Sequence, residues 1–219
     1  APHSSGQYNT AIGHEALKGF TTGESNVAVG REAGHDITTG TGNTLVGNAA
    51  GDKITTAEYN VALGAGALGA MAADVDSNTA IGSFAMSSAN NADAIDNVAI
   101  GAYAGTGGSG ALKRSIAIGK NALNSTGAAD VEGAVAIGYN ALTALTSGAK
   151  NTALGYEAGK AMTTGEGNVA IGYQALLKAN HADADYNVAI GHGVGTELLN
   201  GYYNVLIGYN TGNTLTSGG

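Results

Sequence analysis

The chain has 219 residues, a net charge of −8 at neutral pH, no cysteine and only nine Lys and Arg. The lack of cysteine excludes disulfides and thiolate metal sites, and the shortage of cations disfavours nucleic acid as a partner. With 37 Gly, two Phe and no Trp, any core has to be thin and built from small aliphatic side chains.

Residues 1–7 are a polar segment without the charged and apolar regions of a signal peptide. Residues 8–219 are predicted to form one repetitive domain. No apolar run approaches the roughly 18 residues of a membrane-spanning helix, so membrane insertion is not expected. The lack of cysteine is compatible with an extracellular location.

One five-residue phrase occurs twelve times between Asn9 and Gly208. Successive copies start about 17 to 19 residues apart, and a period this short and regular is typical of a solenoid. Counting from the start of each copy, position 1 is Asn except at Ser115 and Ala134, and position 5 is always Gly. Position 2 is β-branched, position 3 is nearly always Ala, and position 4 is Ile, Val or Leu. This alternation predicts a short strand in every coil.

The remainder of each coil is less regular. Position 8 is mostly Ala, position 9 is either Leu or Met or Gly, and position 12 is usually large and apolar, often followed by a turn such as Thr21–Gly23. We interpret this half as a second short strand. The predicted fold class is therefore all-β, a parallel β-solenoid (β-roll) of about twelve coils with two short strands per coil. A helix is disfavoured because Gly and a β-branched residue recur in every coil.

Stacked coils place like residues above one another at about 4.8 Å, which makes twelve coils a rod of about 55 to 60 Å. Asn at position 1 is expected to adopt the left-handed backbone conformation and to align its amide with the amides of neighbouring coils. Gly at position 5 is expected to supply the opposite turn. The predicted ladder consists of Asn9, Asn26, Asn43, Asn60, Asn78, Asn97, Asn151, Asn168, Asn187 and Asn204.

Ala at positions 3 and 8 is predicted to fill a narrow interior, which leaves the larger side chains of positions 2 and 4 on the opposite face. Another surface has to cover that face. Three parallel rods around a common axis are the simplest arrangement that also leaves each rod an outer surface, so the expected partner is the chain itself, as a homotrimer.

The pattern N-[VT]-A-[IVL]-G-x-x-A resembles the head repeat of YadA-like trimeric autotransporter adhesins, and the copies starting at Asn151 and Asn168 resemble repeats of bacteriophage tail fibres. The resemblance covers residues 8–219 and implies a left-handed β-roll that assembles as a homotrimer. Longer coils and the lack of a heptad stalk favour the fibre over the adhesin, and the sequence is compatible with a segment of a longer fibre.

The expected function is that of a structural, receptor-presenting section of an extracellular fibre, most like a phage tail fibre that attaches to a host. A host-surface glycan or protein is the expected receptor. The alternatives are the head domain of a bacterial adhesin and a filament whose subunits join end to end through unpaired strand edges.

Tyrosine follows the repeat Gly in four coils of the C-terminal third, at Tyr139, Tyr156, Tyr173 and Tyr209, and His192 is expected to interrupt this series. These rings are expected to stack along one edge of the rod. A flat apolar face with a polar tip suits a glycan, and a stacked aromatic ladder also stabilises a solenoid edge. Both interpretations, a receptor-contact stripe and a structural ladder, remain open.

The longer coils collect pairs of carboxylates that either bind Ca²⁺ or are simply solvated. Six to eight oxygen ligands are usual for Ca²⁺ and the Gly-rich calcium repeat is missing, so solvated loops are favoured and no metal is expected. The pairs are Asp74 with Asp76, Asp93 with Asp96, Asp130 with Glu132, and Asp183 with Asp185.

No other motif indicates catalysis or a cofactor. The two G-x-G-x-x-G matches, Gly64–Gly69 and Gly105–Gly110, do not open a helix within a βαβ unit, so no cofactor is expected. The five His occupy different coil positions, and no Ser-His-Asp set can be assembled, so the chain is not expected to be an enzyme. A partial rank of Thr raises ice binding as a weaker alternative.

Overall fold

The computed structural model describes residues 5–70, 75–88, 94–108, 110–124, 127, 129–180 and 184–218. The described residues form a parallel β-solenoid of about eleven turns, without an α-helix. None of the described elements is a helix that could span a membrane.

Fourteen short strands are present in the described residues. Twelve of them are the three residues at positions 2 to 4 of a coil, and the other two have two residues each. In chain order they are β1 Thr10–Ile12, β2 Val27–Val29, β3 Thr44–Val46, β4 Val61–Leu63, β5 Thr79–Ile81, β6 Val98–Ile100, β7 Leu112–Lys113, β8 Ile116–Ile118, β9 Val131–Glu132, β10 Val135–Ile137, β11 Thr152–Leu154, β12 Val169–Ile171, β13 Val188–Ile190 and β14 Val205–Ile207.

The twelve three-residue strands form one parallel sheet in chain order, and β7 pairs with β9 in a separate two-stranded sheet. Every pair of neighbours is in register, position on position, as in Val27 with Thr44 and Ala28 with Leu45. The coil between β4 and β5 is longer than the first coils, yet these strands still pair Ala62 with Ala80. Insertions therefore change the turns and leave the register of the sheet unchanged.

The interior is as thin as predicted. Ala at positions 3 and 8 is fully buried through most of the chain, as in Ala28 and Ala33, and position 12 adds larger buried side chains such as Ile37 and Met162. Asn at position 1 is also buried, whereas positions 2 and 4 face outward. The prediction that Ala fills the interior is confirmed.

The predicted second strand in every coil is wrong. Within the described residues only β7 and β9 lie outside the main sheet, and both come after position 12 of their coils. Positions 6 to 12 are mostly turns. The physical reason is that positions 7 and 9 have positive φ, near +59° at Glu15 and +51° at Leu17, which interrupts an extended backbone. Hydrogen bonds between coils continue through these turns, since the Leu17 N–H donates to the Ala33 carbonyl at 3.0 Å.

The left-handed conformation is also not where it was predicted. It belongs to the residue before each ladder Asn, for example Ser25 and Tyr59, and the ladder Asn residues are absent from the positive-φ positions. The Asn backbone instead continues toward the strand, and its carbonyl accepts the N–H of position 2 in the preceding coil, as in Thr10 N–H to Asn26 O at 2.8 Å.

Position 9 adjusts the volume of the core. It has φ between +48° and +62° in every coil and carries either Gly or a large aliphatic side chain. A Cβ on Gly51 would lie 2.8 Å from a methyl group of Leu45, which replaces the usual Ala at position 3 of the same coil. Leu206 and Gly212 repeat this combination. A large residue at position 3 therefore occurs with Gly at position 9, which keeps the core evenly filled.

Candidate functional site

The Asn ladder is confirmed as a hydrogen-bonded column inside the rod. Asn26 Oδ1 accepts two hydrogen bonds from Asn43, from its backbone N–H and from Nδ2, both at 3.0 Å. Asn43 Nδ2 also donates to the Ala57 carbonyl at 2.7 Å. The same pattern runs from Asn9 to Asn97 and again from Asn151 to Asn204. The column satisfies polar groups that are buried inside the rod.

The two exceptions in the sequence interrupt this column. The Ser115 N–H still donates to Asn97 Oδ1 at 3.0 Å, and Ser115 Oγ accepts the Ala134 N–H at 3.1 Å. Ala134 has no side-chain acceptor to offer to Asn151 in the next coil. The ladder therefore consists of two Asn columns joined by one Ser and one Ala.

Gly at position 5 is required by close contact between coils. Its φ lies between +125° and +141° in all twelve coils. A Cβ on Gly155 would lie 2.3 Å from the carbonyl oxygen of Gly172, the equivalent residue of the next coil. No side chain fits at that distance, so Gly after the strand is required for structural reasons.

The outward face of the twelve-stranded sheet is a continuous apolar strip. Its side chains, at positions 2 and 4, are Val, Ile, Leu or Thr in every strand. Within the middle of the sheet Leu63 is 46% exposed and Leu154 is 44% exposed. Since neighbouring strands lie about 4.8 Å apart, the strip is about 50 Å long. A strip of this extent is unusual on a soluble monomer and indicates an interaction surface.

The C-terminal aromatic side chains form a ring ladder, which we define as Tyr139, Tyr156, Tyr173, His192 and Tyr209. Successive ring centroids are 5.2, 5.4, 4.8 and 5.1 Å apart, and successive ring planes deviate from parallel by 8° to 23°. The stacking prediction is confirmed, and His192 continues the ladder instead of interrupting it.

This stacking changes how the ladder can contact a ligand. The ring faces, which were expected to meet a glycan, are turned toward one another. Tyr139, Tyr156 and Tyr173 remain 40 to 46% exposed, so their edges and hydroxyl groups are what the surface presents. Partial burial, followed by the neighbouring Glu157 carboxylate, raises the pKa of Tyr156. A tyrosine hydroxyl is protonated at neutral pH, so it can donate a hydrogen bond to a ligand.

A polar row at position 7 accompanies the ring ladder. Gln174 Nε2 donates to Glu157 Oε2 at 2.9 Å, and Lys160 Nζ donates to Glu157 Oε1 at 2.8 Å. Both bonds lower the pKa of the Glu157 carboxyl, and the bond from Lys160 has the larger effect. One coil pair earlier, Asn121 Nδ2 donates to Asn140 Oδ1 at 3.1 Å. The row was not identified from the sequence, because its residue types differ from coil to coil.

A lateral groove lies beside the polar row, between position 7 and positions 10 and 11. In the C-terminal half it has a volume of about 400 Å³. A second stretch of the groove, of about 370 Å³, lies between Ala49 and Ser88 in the N-terminal half. The C-terminal stretch is lined by Thr143, Ala144, Glu157, Lys160, Ala161, Leu177 and Lys178.

Of the five described acidic residues in these pairs, four have side-chain partners within the chain: Asp76, Asp130, Asp185 and, through Arg114, Glu132. Asp76 Oδ1 accepts the Glu58 N–H and Asp185 Oδ1 accepts the Glu166 N–H, both at 2.7 Å. Asp130 accepts the Ala111 N–H at 2.9 Å and pairs with Lys113 at 2.7 Å. The described residues contain no group of three His, Cys, Asp or Glu that could hold a metal ion. Asp74, Asp93 and Asp183 lie outside the described residues.

The Thr rank is partly used inside the rod. Thr21 Oγ1 donates to the Thr38 carbonyl at 2.9 Å, and Thr38 Oγ1 donates to the Thr55 carbonyl at 3.2 Å. These hydroxyls tie coils together, which weakens the ice-binding alternative. Of the histidines, His35 pairs with Asp36 and lies 3.5 Å from Glu15, and His3 and His181 lie outside the described residues.

No family model, curated protein or solved structure matches this chain.

Proposed function

We propose that the chain is a shaft or receptor-presenting section of an extracellular, non-enzymatic fibre in which three copies pack around a common axis. The observation that carries this proposal is the apolar strip on the outward face of the sheet. Burying each Val, Leu or Ile side chain contributes about 1.5 to 3 kcal/mol, and the strip repeats such side chains in all twelve strands.

The geometry of the sheet suits packing of the chain against itself. Because every strand pair is in register, positions 2 and 4 of successive strands line up along the rod. Each chain of an assembly would therefore present the same row of side chains to the neighbouring chain. Three copies around one axis would cover the strip and leave the ring ladder and groove accessible from the side. The resemblance of the repeat to adhesin heads and tail fibres also favours three copies.

A fibre section also agrees with how this solenoid is stabilised. Each coil contacts only its neighbours, so length is added without a change of fold, and the strand ladders resist bending. The ten ladder Asn residues and the twelve glycines at position 5 hold neighbouring coils together through hydrogen bonds and close backbone contacts. Positions 6, 7 and 10 are left to vary, which is where a receptor-presenting surface is expected.

The mass in solution, measured by light scattering, tests the proposal. The expected particle has three times the 21.4 kDa mass of one chain. Replacing Ile171 or Ile100 with Asp should dissociate or unfold the assembly, because a charge would be buried in the strip. Thr39→Asp, on an exposed turn, is the matched control and should leave the mass unchanged.

A monomeric mass for the unmodified chain, or the same mass for the Ile171 and Thr39 variants, would refute packing through the strip. A mass that increases with concentration would instead favour the end-to-end filament. A particle with the mass of three chains is expected for both a tail fibre and an adhesin head.

A further inference from the structure

The ring ladder, the polar row and the C-terminal groove lie side by side on the same coils. Lys160 connects them, because it lines the groove and donates to Glu157 of the polar row at 2.8 Å. The pKa of Lys160 is raised, first by this bond to Glu157 and further by Tyr156 and Tyr139 of the ring ladder. Together they form one surface that extends along the rod over the coils of residues 134–209. We call this surface the lateral track.

The chemistry of the lateral track repeats from coil to coil. Each coil adds an aromatic edge at position 6, a polar side chain at position 7 in most coils, and a groove residue at position 10. In the coil of residues 151–160 these are Tyr156, Glu157 and Lys160. A surface with a one-dimensional repeat suits a linear polymer whose own units advance by the same distance.

The spacing of the track selects among linear polymers. Ring centroids are 4.8 to 5.4 Å apart. An extended peptide advances about 3.3 Å per residue and twice that per same-side residue, so neither period matches. One hexose unit of an extended β-1,4-linked chain advances by nearly the ring-to-ring distance, and places hydroxyl groups along both of its edges.

The charges of the track indicate an uncharged polymer. Lys160 pairs with Glu157 at 2.8 Å, and Lys178 pairs with Glu197 at 2.7 Å. Both lysines that line the groove therefore have a carboxylate partner, which leaves little net positive charge to attract a polyanion. The remaining groove lining is Thr143 and the aliphatic residues Ala144, Ala161 and Leu177.

We propose that the lateral track binds a linear, uncharged β-1,4-linked polysaccharide that lies parallel to the rod, with one sugar unit per coil. Ring edges and the groove contact the apolar CH faces of the sugars, and Tyr hydroxyls and the polar row hydrogen-bond to the sugar hydroxyls. This inference rests on the proposed role as a receptor-presenting fibre and names the class of receptor.

Isothermal titration calorimetry of the full chain with cellohexaose and with the hexamer of N-acetylglucosamine tests the proposal. At least one of these should bind at least tenfold more tightly than its own dimer, because a hexamer spans the five rings and a dimer spans two. Maltohexaose, whose α-1,4 linkage curves the chain, should bind at least tenfold more weakly than the better β-1,4 hexamer.

Two variants locate the site. Tyr173→Ala removes the central ring and should weaken hexamer binding at least tenfold. Tyr203→Ala is the matched control, since Tyr203 stacks on Tyr186 at 5.5 Å on a different edge of the rod. The Tyr203→Ala variant should bind the hexamer as tightly as the unmodified chain does. If Tyr173→Ala does not fold, Ala161→Trp fills the groove without removing a ring and should also weaken binding at least tenfold.

Three results would overturn the proposal: no binding of either β-1,4 hexamer, equal affinity for hexamer and dimer, or equal losses in the Tyr173 and Tyr203 variants. Preferential binding of polygalacturonate, which is anionic, would overturn the uncharged class. The mass in solution separates this inference from the proposed function. A trimeric particle without glycan binding refutes the track alone, and a monomer that binds the hexamer refutes the trimer alone.

Discussion

Substituting one ladder Asn measures how strongly the buried amide column holds the rod together. In Asn43→Ala the backbone N–H of residue 43 keeps its bond to Asn26, but the side-chain bonds are lost. The Ala57 carbonyl loses a donor at 2.7 Å, and the Asn60 N–H loses its acceptor at 3.0 Å. Two buried polar groups are thereby left without these partners.

Each such group costs about 1 to 3 kcal/mol, so Asn43→Ala should lower the free energy of unfolding by about 2 to 6 kcal/mol per chain. The assay is equilibrium unfolding in guanidinium chloride, followed by circular dichroism at matched protein concentration. Asn200→Ala is the control because Asn200 is exposed on a turn, and it should change stability by less than about 0.5 kcal/mol. Equal midpoints for the two variants would refute the view that the amide column stabilises the fold.

Three further substitutions and one pH series extend this reasoning. Ala134→Asn restores an acceptor for Asn151 and should raise the denaturation midpoint, by about 1 kcal/mol; an unchanged midpoint would mean that the gap costs nothing. In Gly155→Ala the new Cβ would lie 2.3 Å from a carbonyl oxygen, whereas in the control Gly133→Ala the nearest atom is 3.9 Å away. Gly155→Ala should therefore lower the melting temperature far more than Gly133→Ala. Similar melting temperatures for the two variants would contradict the close-contact argument. Ala49→Gly relieves a φ of +54° and should stabilise by about 1 kcal/mol in the same denaturation assay. The pKa of Glu157 is lower in the folded chain than its unfolded value near 4.5. Its ionised carboxylate therefore stabilises the fold above that unfolded value, and this stability is lost as the pH falls through the lower folded pKa. A Glu157→Gln variant should lose less free energy of unfolding on acidification than the unmodified chain.

The sequence predicted the parts of this fold that repeat identically. Asn43, Gly47 and Ala50 recur at fixed positions, and each has a physical role that a sequence pattern can express: a stackable amide, a backbone without Cβ, and a small core residue. Register followed from the same repetition, since any slip would misalign these columns.

The turns were not predictable in the same way. Leu17, Glu15 and Met86 adopt a positive φ that such residues seldom take, and nothing in their own preferences indicates it. One sequence feature did point to a positive φ: position 9 is Leu in some coils and Gly in others. A position that takes both residues is constrained by its backbone conformation more than by side-chain volume. Stacked neighbours on either side then hold the strained conformation in place.

The ring ladder, unlike the Asn column, does not extend along the whole rod. Position 6 is His14, Arg31 and Asn48 in the first coils and becomes Tyr only from Tyr139 onward, although the backbone is the same in each coil. A purely structural ladder would be equally useful along the whole rod, since every coil offers the same stacking distance. Its restriction to the C-terminal coils, together with the polar row and groove beside it, supports the proposal that the ring ladder binds a ligand. The Asn column, which runs through both halves, shows what a structural requirement looks like in this fold.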